Sequence, residues 1–322
     1  CKGYHTLSIK LIEAKKLKKS FGDFIAVDDI DLSVERGEVI GFLGPNGAGK
    51  STTMKMLTGF LEPDEGEIFI DGIDLKSKPL EAKQAIGYLP EGSPSYSDME
   101  VSDFLSFVGK MRGLDNNELL ETRLSDMAEQ INLKEVWHKP IETLSKGFKR
   151  RVGIAQALIH DPDILILDEP TDGLDPNQKY EMRNLIKKIS SNKAIVISTH
   201  ILEEVEAVCS RTVIIANGQL LANETTQDLT KKFNNKNVFS IKVANELNNS
   251  QIKDIKSSLN FKKVTVKNLN ITDTLILIED EKENINLNKI MTQLKKHKLD
   301  INEATFIKPS LDDIFRKITQ QK

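Results

Sequence analysis

The sequence predicts an α/β domain with a helical insert, followed by a smaller α+β domain. Three observations lead there. Short apolar runs, Val39–Leu43, Ile164–Leu167, Ala194–Ser198 and Thr212–Ala216, recur with helical patterns between them. Unbroken runs of that kind are what a parallel sheet buries on both faces. Second, Val101, Phe104, Leu105 and Val108 fall at i, i+3, i+4 and i+7, which makes one helix face. From there to His160 only helical patterns occur, so about residues 92–160 read as a helical insert in the α/β core. Third, the composition shifts after Lys232 to Asn, Lys and Ile, with no glycine and the single proline Pro309.

The first domain spans 7–232, after residues 1–6, which read as a leader. The second spans 233–322. Its elements read strand (Val238–Val243), helix (Ser250–Leu259), strand (Val264–Leu269), strand (Thr274–Glu279), helix (Ile285–Lys296) and strand (Glu303–Ile307). That βαββαβ order is ferredoxin-like. A last helix is expected, capped by Ser310 with Asp313 three residues on.

Composition sets bounds on function. The 322 residues are 39% hydrophobic and 29% charged, the balance of a folded globular chain. A formal net charge of −3 gives no electrostatic case for a nucleic-acid partner. The two cysteines, Cys1 and Cys209, have no metal-ligand spacing and form no disulfide framework, which fits a reducing cytoplasm. No apolar run approaches the ~18 residues of a membrane helix, and no signal peptide is read. A processing end accounts for Cys1 more plainly than a lipoprotein anchor does.

Chemistry enters at Gly44-Pro-Asn46-Gly47-Ala-Gly49-Lys50-Ser51, which fits G-x-x-x-x-G-K-[ST]. A strand (Val39–Leu43) runs into it and a helix (Ser51–Phe60) leaves it. The glycines let successive backbone N–H groups form a concave anion nest, and the helix N-terminus adds partial positive charge. Lys50 is placed to neutralise β- and γ-phosphates, Ser51 to ligate Mg²⁺, and Thr52 to meet the α-phosphate. The second element is Ile164-Leu-Ile-Leu-Asp168-Glu169, a buried strand whose C-terminal end delivers two carboxylates where α/β sheets hold ligands. Asp168 suits Mg²⁺, and Glu169 suits a general base acting on water beside the γ-phosphate. Together they describe a P-loop NTPase core of RecA-like type, with ATP and Mg²⁺ as the implied ligands.

Further short motifs surround these two. Leu144-Ser145-Lys146-Gly147-Phe148 precedes the Asp168 strand by about twenty residues and resembles the signature LSGGQ. Asp172-Gly-Leu-Asp175-Pro resembles a D-loop. His200 ends the Ala194 strand at the place of a switch histidine. Phe21 stands where an adenine-stacking aromatic is kept, and Gly87-Tyr-Leu-Pro-Glu91 where a Q-loop lies. In this order and spacing the chain resembles the ABC transporter ATPase family over roughly residues 7–232. The LSKGF signature, Glu91 in place of Gln, and a tail ending Pro309-Ser-Leu-Asp-Asp-Ile-Phe resemble its ABC-2 type exporter branch. That branch includes gliding-motility, multidrug, antibiotic-export and sodium-export ATPases.

The resemblance implies a shared active site. Two ATP molecules would lie between two chains, each phosphate loop facing Ser145 and Gly147 of the other chain, with Asp175 touching the partner's phosphate loop. His200 would steady the γ-phosphate and the attacking water. The helical insert would dock on separate polytopic membrane permease subunits, putting the chain on the cytoplasmic face of the cell membrane as a peripheral homodimer. Two departures stand out. Lys146 occupies a glycine position of the signature, and Glu91, when ionised, accepts hydrogen bonds but cannot donate as a Gln does. The alternative is a non-transport ABC ATPase acting on ribosomes or DNA. Such proteins usually carry two nucleotide domains or a long coiled coil, and this chain has one such domain and no sustained heptads. A degenerate binding module is disfavoured because Lys50, Asp168, Glu169 and His200 are all present.

Overall fold

The computed structural model describes residues 9–92, 96–233, 237–244, 246–259, 263–269, 273–280, 287–297, 299–307 and 315–316. The leader, Cys1 and the expected cap and first turn of the last helix, at Ser310 and Asp313, lie outside the described residues. The chain separates into two compact units, Cys1–Thr226 and Gln227–Lys322. Among the described residues, no helix is long and apolar enough to cross a membrane.

The first unit opens with two long strands, β1 (Lys10–Phe21) and β2 (Phe24–Glu35). They lead to β3 (Val39–Leu43), α1 (Lys50–Leu57), β4 (Glu65–Ile70), β5 (Ile73–Asp74), α2 (Pro79–Gln84) and β6 (Ile86–Leu89). Helices α3 (Val101–Met111), α4 (Asn117–Gln130) and α5 (Lys146–Leu158) follow, with two short 3₁₀ turns before α5. The unit closes with β7 (Ile164–Asp168), α6 (Pro176–Ile189), β8 (Ala194–Thr199), α7 (Leu202–Val208), β9 (Arg211–Ala216) and β10 (Gln219–Thr225).

Six strands form the central sheet in the order β10-β9-β3-β8-β7-β6. All are parallel except the edge strand β10. Alternate residues of each strand enter different cores. Leu165 and Leu167 of β7 join Phe104, Leu105, Leu124 and Ile154 from the helices on one face. Ile164 and Ile166 join Phe42, Met54, Leu57 and the inner residues of β1 and β2 on the other. A strand buried on both faces has no polar side to spare, which is why β3 and β7 are apolar throughout until Asp168. Truncating one of these side chains to Ala would cost about 2–5 kcal/mol.

A second, antiparallel sheet, β2-β1-β4-β5, was not legible from the apolar runs. In β1 the buried residues are Leu11, Ile12, Ala14 and Leu17, a broken alternation. The break is a bulge: the pairing shifts between Ala14 and Leu17, and Lys16 takes φ +50° with its N–H donating to Asp31 Oδ1 at 2.9 Å. The helix expected over Ser51–Phe60 runs instead from Lys50 to Leu57. It stops because Gly59 turns left-handed at φ +66°.

Helix α8 (Thr226–Phe233) begins at the last residue of the first unit, and the second unit continues with β11 (Asn237–Ala244), α9 (Asn249–Leu259), β12 (Lys263–Asn268), β13 (Asp273–Asp280), α10 (Leu287–Lys296) and β14 (Asp300–Ile307). Its four strands pair antiparallel in the order β12-β13-β11-β14. Ile241, Val243, Ile276 and Ile278 of the sheet meet Ile255, Leu259, Ile290 and Leu294 of α9 and α10 in a core of their own.

Candidate functional site

Parallel strands in the order β3-β8-β7-β6 deliver their C-terminal ends to one edge of the sheet. Neighbouring strands lie about 4.8 Å apart, so the segments that leave them are neighbours too. β3 leads into the Gly44–Ser51 loop, β8 ends before His200, β7 ends at Asp168 and Glu169, and β6 ends just before Pro90 and Glu91. Strand order thus gathers residues far apart in sequence.

The loop itself is tightly built. Pro45, Asn46 and Gly47 are exposed, whereas Gly44, Ala48, Gly49 and Lys50 are buried. Gly49 has φ +102°, and a Cβ there would stand 2.3 Å from the Ala26 carbonyl oxygen, so only glycine fits beneath β2. Lys50 opens α1 and folds back, its ammonium donating to the carbonyls of Gly44 (2.8 Å) and Pro45 (3.2 Å). Ser51 and Thr52 stand half-buried in the same first turn. That loop-and-helix start offers a ring of backbone donors with a buried cation at its base.

Two carboxylates face this cation. Lys50 Nζ lies 4.0 Å from Glu169 Oε1. Burial lowers the Lys50 pKa, opposed by Glu169, Asp168 and Glu91. Burial likewise raises the Glu169 pKa, opposed by His200 and Lys50. The His200 Nδ1–H donates to both Glu169 oxygens at 3.1 Å each. Glu169 holds φ +49°, an uncommon conformation for a residue with a Cβ, and its N–H donates to the Ser198 carbonyl at 3.1 Å. Asp168, 1% exposed, accepts from the Ser198 hydroxyl. Glu91 is exposed. Half-buried Tyr88 on β6 has its phenol pushed up to about 12 by desolvation, with Asp168 and Glu91 adding to the shift.

A second group lies on α5 and α6. Exposed Ser145 is the N-cap of α5 and accepts from Phe148 N–H at 3.4 Å. Asp175 is the N-cap of α6, its Oδ1 accepting from Gln178 N–H at 2.9 Å. Gly147 packs against that same Gln178, whose amide carbon is 2.9 Å from where a Cβ would stand. Gln178 therefore joins Ser145, Gly147 and Asp175 into one cluster, and the hydrogen bonds described for Ser145 stay inside its own helix.

Phe21 ends β1 at the turn into β2, half exposed, with the Lys19 ammonium 5.9 Å from its ring centroid. Phe24 and Ile25 beside it are also exposed. Sequence reading missed these two, and missed Thr171, Ser198, Thr199 and Glu204, all buried behind the carboxylates. The available signal was Ser198-Thr199, two polar residues closing an otherwise apolar strand.

Residues 27–172 match the ABC transporter family, ABC_tran. The linearmycin resistance ATP-binding protein LnrL of Bacillus subtilis (strain 168) is 33% identical over 310 residues, covering 96% of this chain and 98% of that one. The chain belongs to the ABC transporter ATP-binding proteins. The ABC transporter ATP-binding protein NatA of the same organism is 38% identical over 206 residues, 63% of this chain and 83% of that one. A solved ATP binding subunit of an ABC transporter matches with TM-score 0.64 at 32% identity, covering 69% of this chain and 93% of the other. As an ABC ATPase the protein binds and hydrolyses ATP, and its phosphate-loop domain has the α/β fold of the ABC cassettes.

Proposed function

We propose that this chain is the ATPase subunit of an ABC-2 type exporter, working as a homodimer on separate polytopic permease subunits at the cytoplasmic face of the cell membrane. The observation that carries the exporter reading is the match to LnrL, which runs through both units and not only the nucleotide domain. LnrL is a resistance ATP-binding protein and NatA an ABC transporter ATP-binding protein, which leaves the ribosome or DNA alternative without support.

The site residues take these roles. Backbone N–H groups of Gly44, Asn46, Gly47 and Gly49 cradle the phosphates, Lys50 neutralises the β- and γ-phosphates, and Thr52 meets the α-phosphate. Ser51, Asp168 and Glu91 hold Mg²⁺. Their donors are all oxygens, and among the described residues no three carboxylates or imidazoles cluster closely enough to cage an ion. That fits a cation which takes one or two carboxylates and completes its shell with a hydroxyl, phosphate and water. When bound, Mg²⁺ supplies charge neutralisation on the phosphates. Glu169 accepts the proton of the attacking water, and His200 orients it. Phe21 stacks on the adenine.

Ser145 and Gly147 meet the γ-phosphate of the partner's ATP, and Asp175 touches the partner's phosphate loop. ATP thus supplies the differential affinity that closes the dimer, and hydrolysis reopens it. Helices α3 to α5 form the helical insert that passes closure to the permease. The second unit is a ferredoxin-like accessory domain, from the order of its strands. Reconstitution tests the reading. The full chain, purified from its native cells in mild detergent, should come with a polytopic membrane protein that stimulates its ATPase activity in vesicles. Recovery with ribosomes or DNA, and no membrane protein, would contradict it.

A further inference from the structure

Glu169 and His200 sit on segments that leave neighbouring strands, and one residue whose side chain hydrogen-bonds to neither ties those segments together. Glu204 on α7 is 4% exposed. One carboxyl oxygen accepts from the Thr171 hydroxyl, and the other accepts from the Thr199 hydroxyl at 2.8 Å. Thr171 lies two residues after Glu169, and Thr199 one residue before His200. The Thr199 hydroxyl in turn accepts from Ile201 N–H at 3.0 Å, so His200 is bracketed on both sides.

The clamp has a fixed base. Val205, fully buried on α7, and Cys209 just past it press on β3. Their side-chain atoms lie 2.9 Å from where a Cβ on Gly41 would stand. Glu204 is therefore anchored to the central sheet and reaches both segments from it. A buried carboxyl is costly unless compensated, and two neutral hydroxyls compensate a charge less well than a cation would. An apolar side chain would serve packing alone at lower cost. Meanwhile Glu169 keeps φ +49°, a conformation that persists only where its surroundings impose it.

We propose that Glu204 is a positioning residue for ATP hydrolysis, holding Glu169 and His200 in fixed register through Thr171 and Thr199. The proposal rests on the reading of Glu169 as the general base.

The test uses the full-length chain with Glu204→Gln, Glu204→Ala, Thr171→Val and Thr199→Val. Glu203→Gln, an exposed neighbour on the same helix, is the control. Turnover, ATP affinity and melting temperature are measured on each. Small displacements of reacting groups cost up to about a hundredfold, so Glu204→Ala should lose at least about thirtyfold in kcat and Glu204→Gln about fivefold or more. ATP affinity should stay within about twofold, since the phosphate loop is untouched. A double variant carrying Thr199→Val and Glu204→Gln should lose less than the product of the two single losses, because both weaken one link. If Glu204→Ala does not fold, the other three variants carry the comparison. A folded Glu204→Gln with wild-type kcat would overturn the proposal, as would a parallel loss of affinity and turnover. An active Glu169→Gln would remove the base assignment instead. An inactive Glu169→Gln beside a fully active Glu204→Gln removes the clamp alone.

Discussion

The His200 imidazole donates through Nδ1 to both oxygens of the Glu169 carboxylate, at 3.1 Å to each. One bifurcated donor fixes the plane of the carboxylate while leaving further lone pairs on each oxygen for a water molecule. The same contact holds the other ring nitrogen of His200 away from Glu169. Burial makes Glu169 a stronger base than an exposed carboxylate, while His200 and Lys50 keep it from taking up a proton too readily.

Glu169→Gln keeps this shape and removes the base. ATP should still bind, while turnover falls by at least about a hundredfold, the scale of general-base loss. The variant should accumulate as an ATP-bound dimer on size-exclusion chromatography. Near-normal phosphate release from a purified sample would refute the assignment.

Phe21 is half exposed, so Phe21→Ala should leave the melting temperature within about 2 °C, as surface changes do. Stacking of a base on an aromatic ring is worth about 1–3 kcal/mol, so ATP affinity should fall by roughly fivefold or more. A ring face suits any purine, so ATP and GTP should bind with similar affinity. Unchanged nucleotide affinity in Phe21→Ala, read by titration calorimetry, would exclude the stacking role.

The second unit has its own core of Ile241, Ile276, Ile278 and Ile290, and every nucleotide motif precedes it. A chain ending at Lys232 should fold cooperatively and bind ATP. Aggregation, or lost binding, would show that the two units depend on one core.

His160 gives a pH-dependent prediction. Burial, reinforced by nearby Arg112, pushes its pKa down to about 4. Its Nε2–H donates to the Ile86 carbonyl at 3.2 Å, and its buried Nδ1 has no partner among the described residues. The unfolded chain takes up this proton near pH 6.5, the folded chain only near 4. Between those values the unfolded state binds more protons, so stability falls as pH drops through that window, by at most about 3 kcal/mol. His160→Gln should remove most of that dependence in urea titrations at pH 7 and 5. An identical pH slope in both proteins would assign the acid sensitivity elsewhere.

Much of the site is legible in sequence because its parts are local. The phosphate loop, the Asp168–Glu169 strand end and the signature each occupy a few consecutive residues between a strand and a helix. Uniformly apolar β3 and β7 announce burial on both faces. β1 does not, since bulges at Lys16 break its alternation and its lysines mask the inner residues. The Thr171–Glu204–Thr199 link is equally hidden. It spans three segments, and a glutamate on a short helix reads as solvent-facing until α7 is seen to rest on Gly41.

In the proposed dimer, Ser145 completes the phosphate site of another chain. Lys50→Ala and Ser145→Arg should each be inactive alone, because each ruins both sites of a symmetric dimer. In a mixed dimer one site carries both lesions, and the other combines an intact Lys50 with an intact Ser145. Random exchange makes about half the dimers mixed, each with one whole site of two, so ATP hydrolysis by the mixture should return to about a quarter of wild type. A mixture as inactive as either parent, with no nucleotide trapped in a mixed dimer, would contradict the shared site.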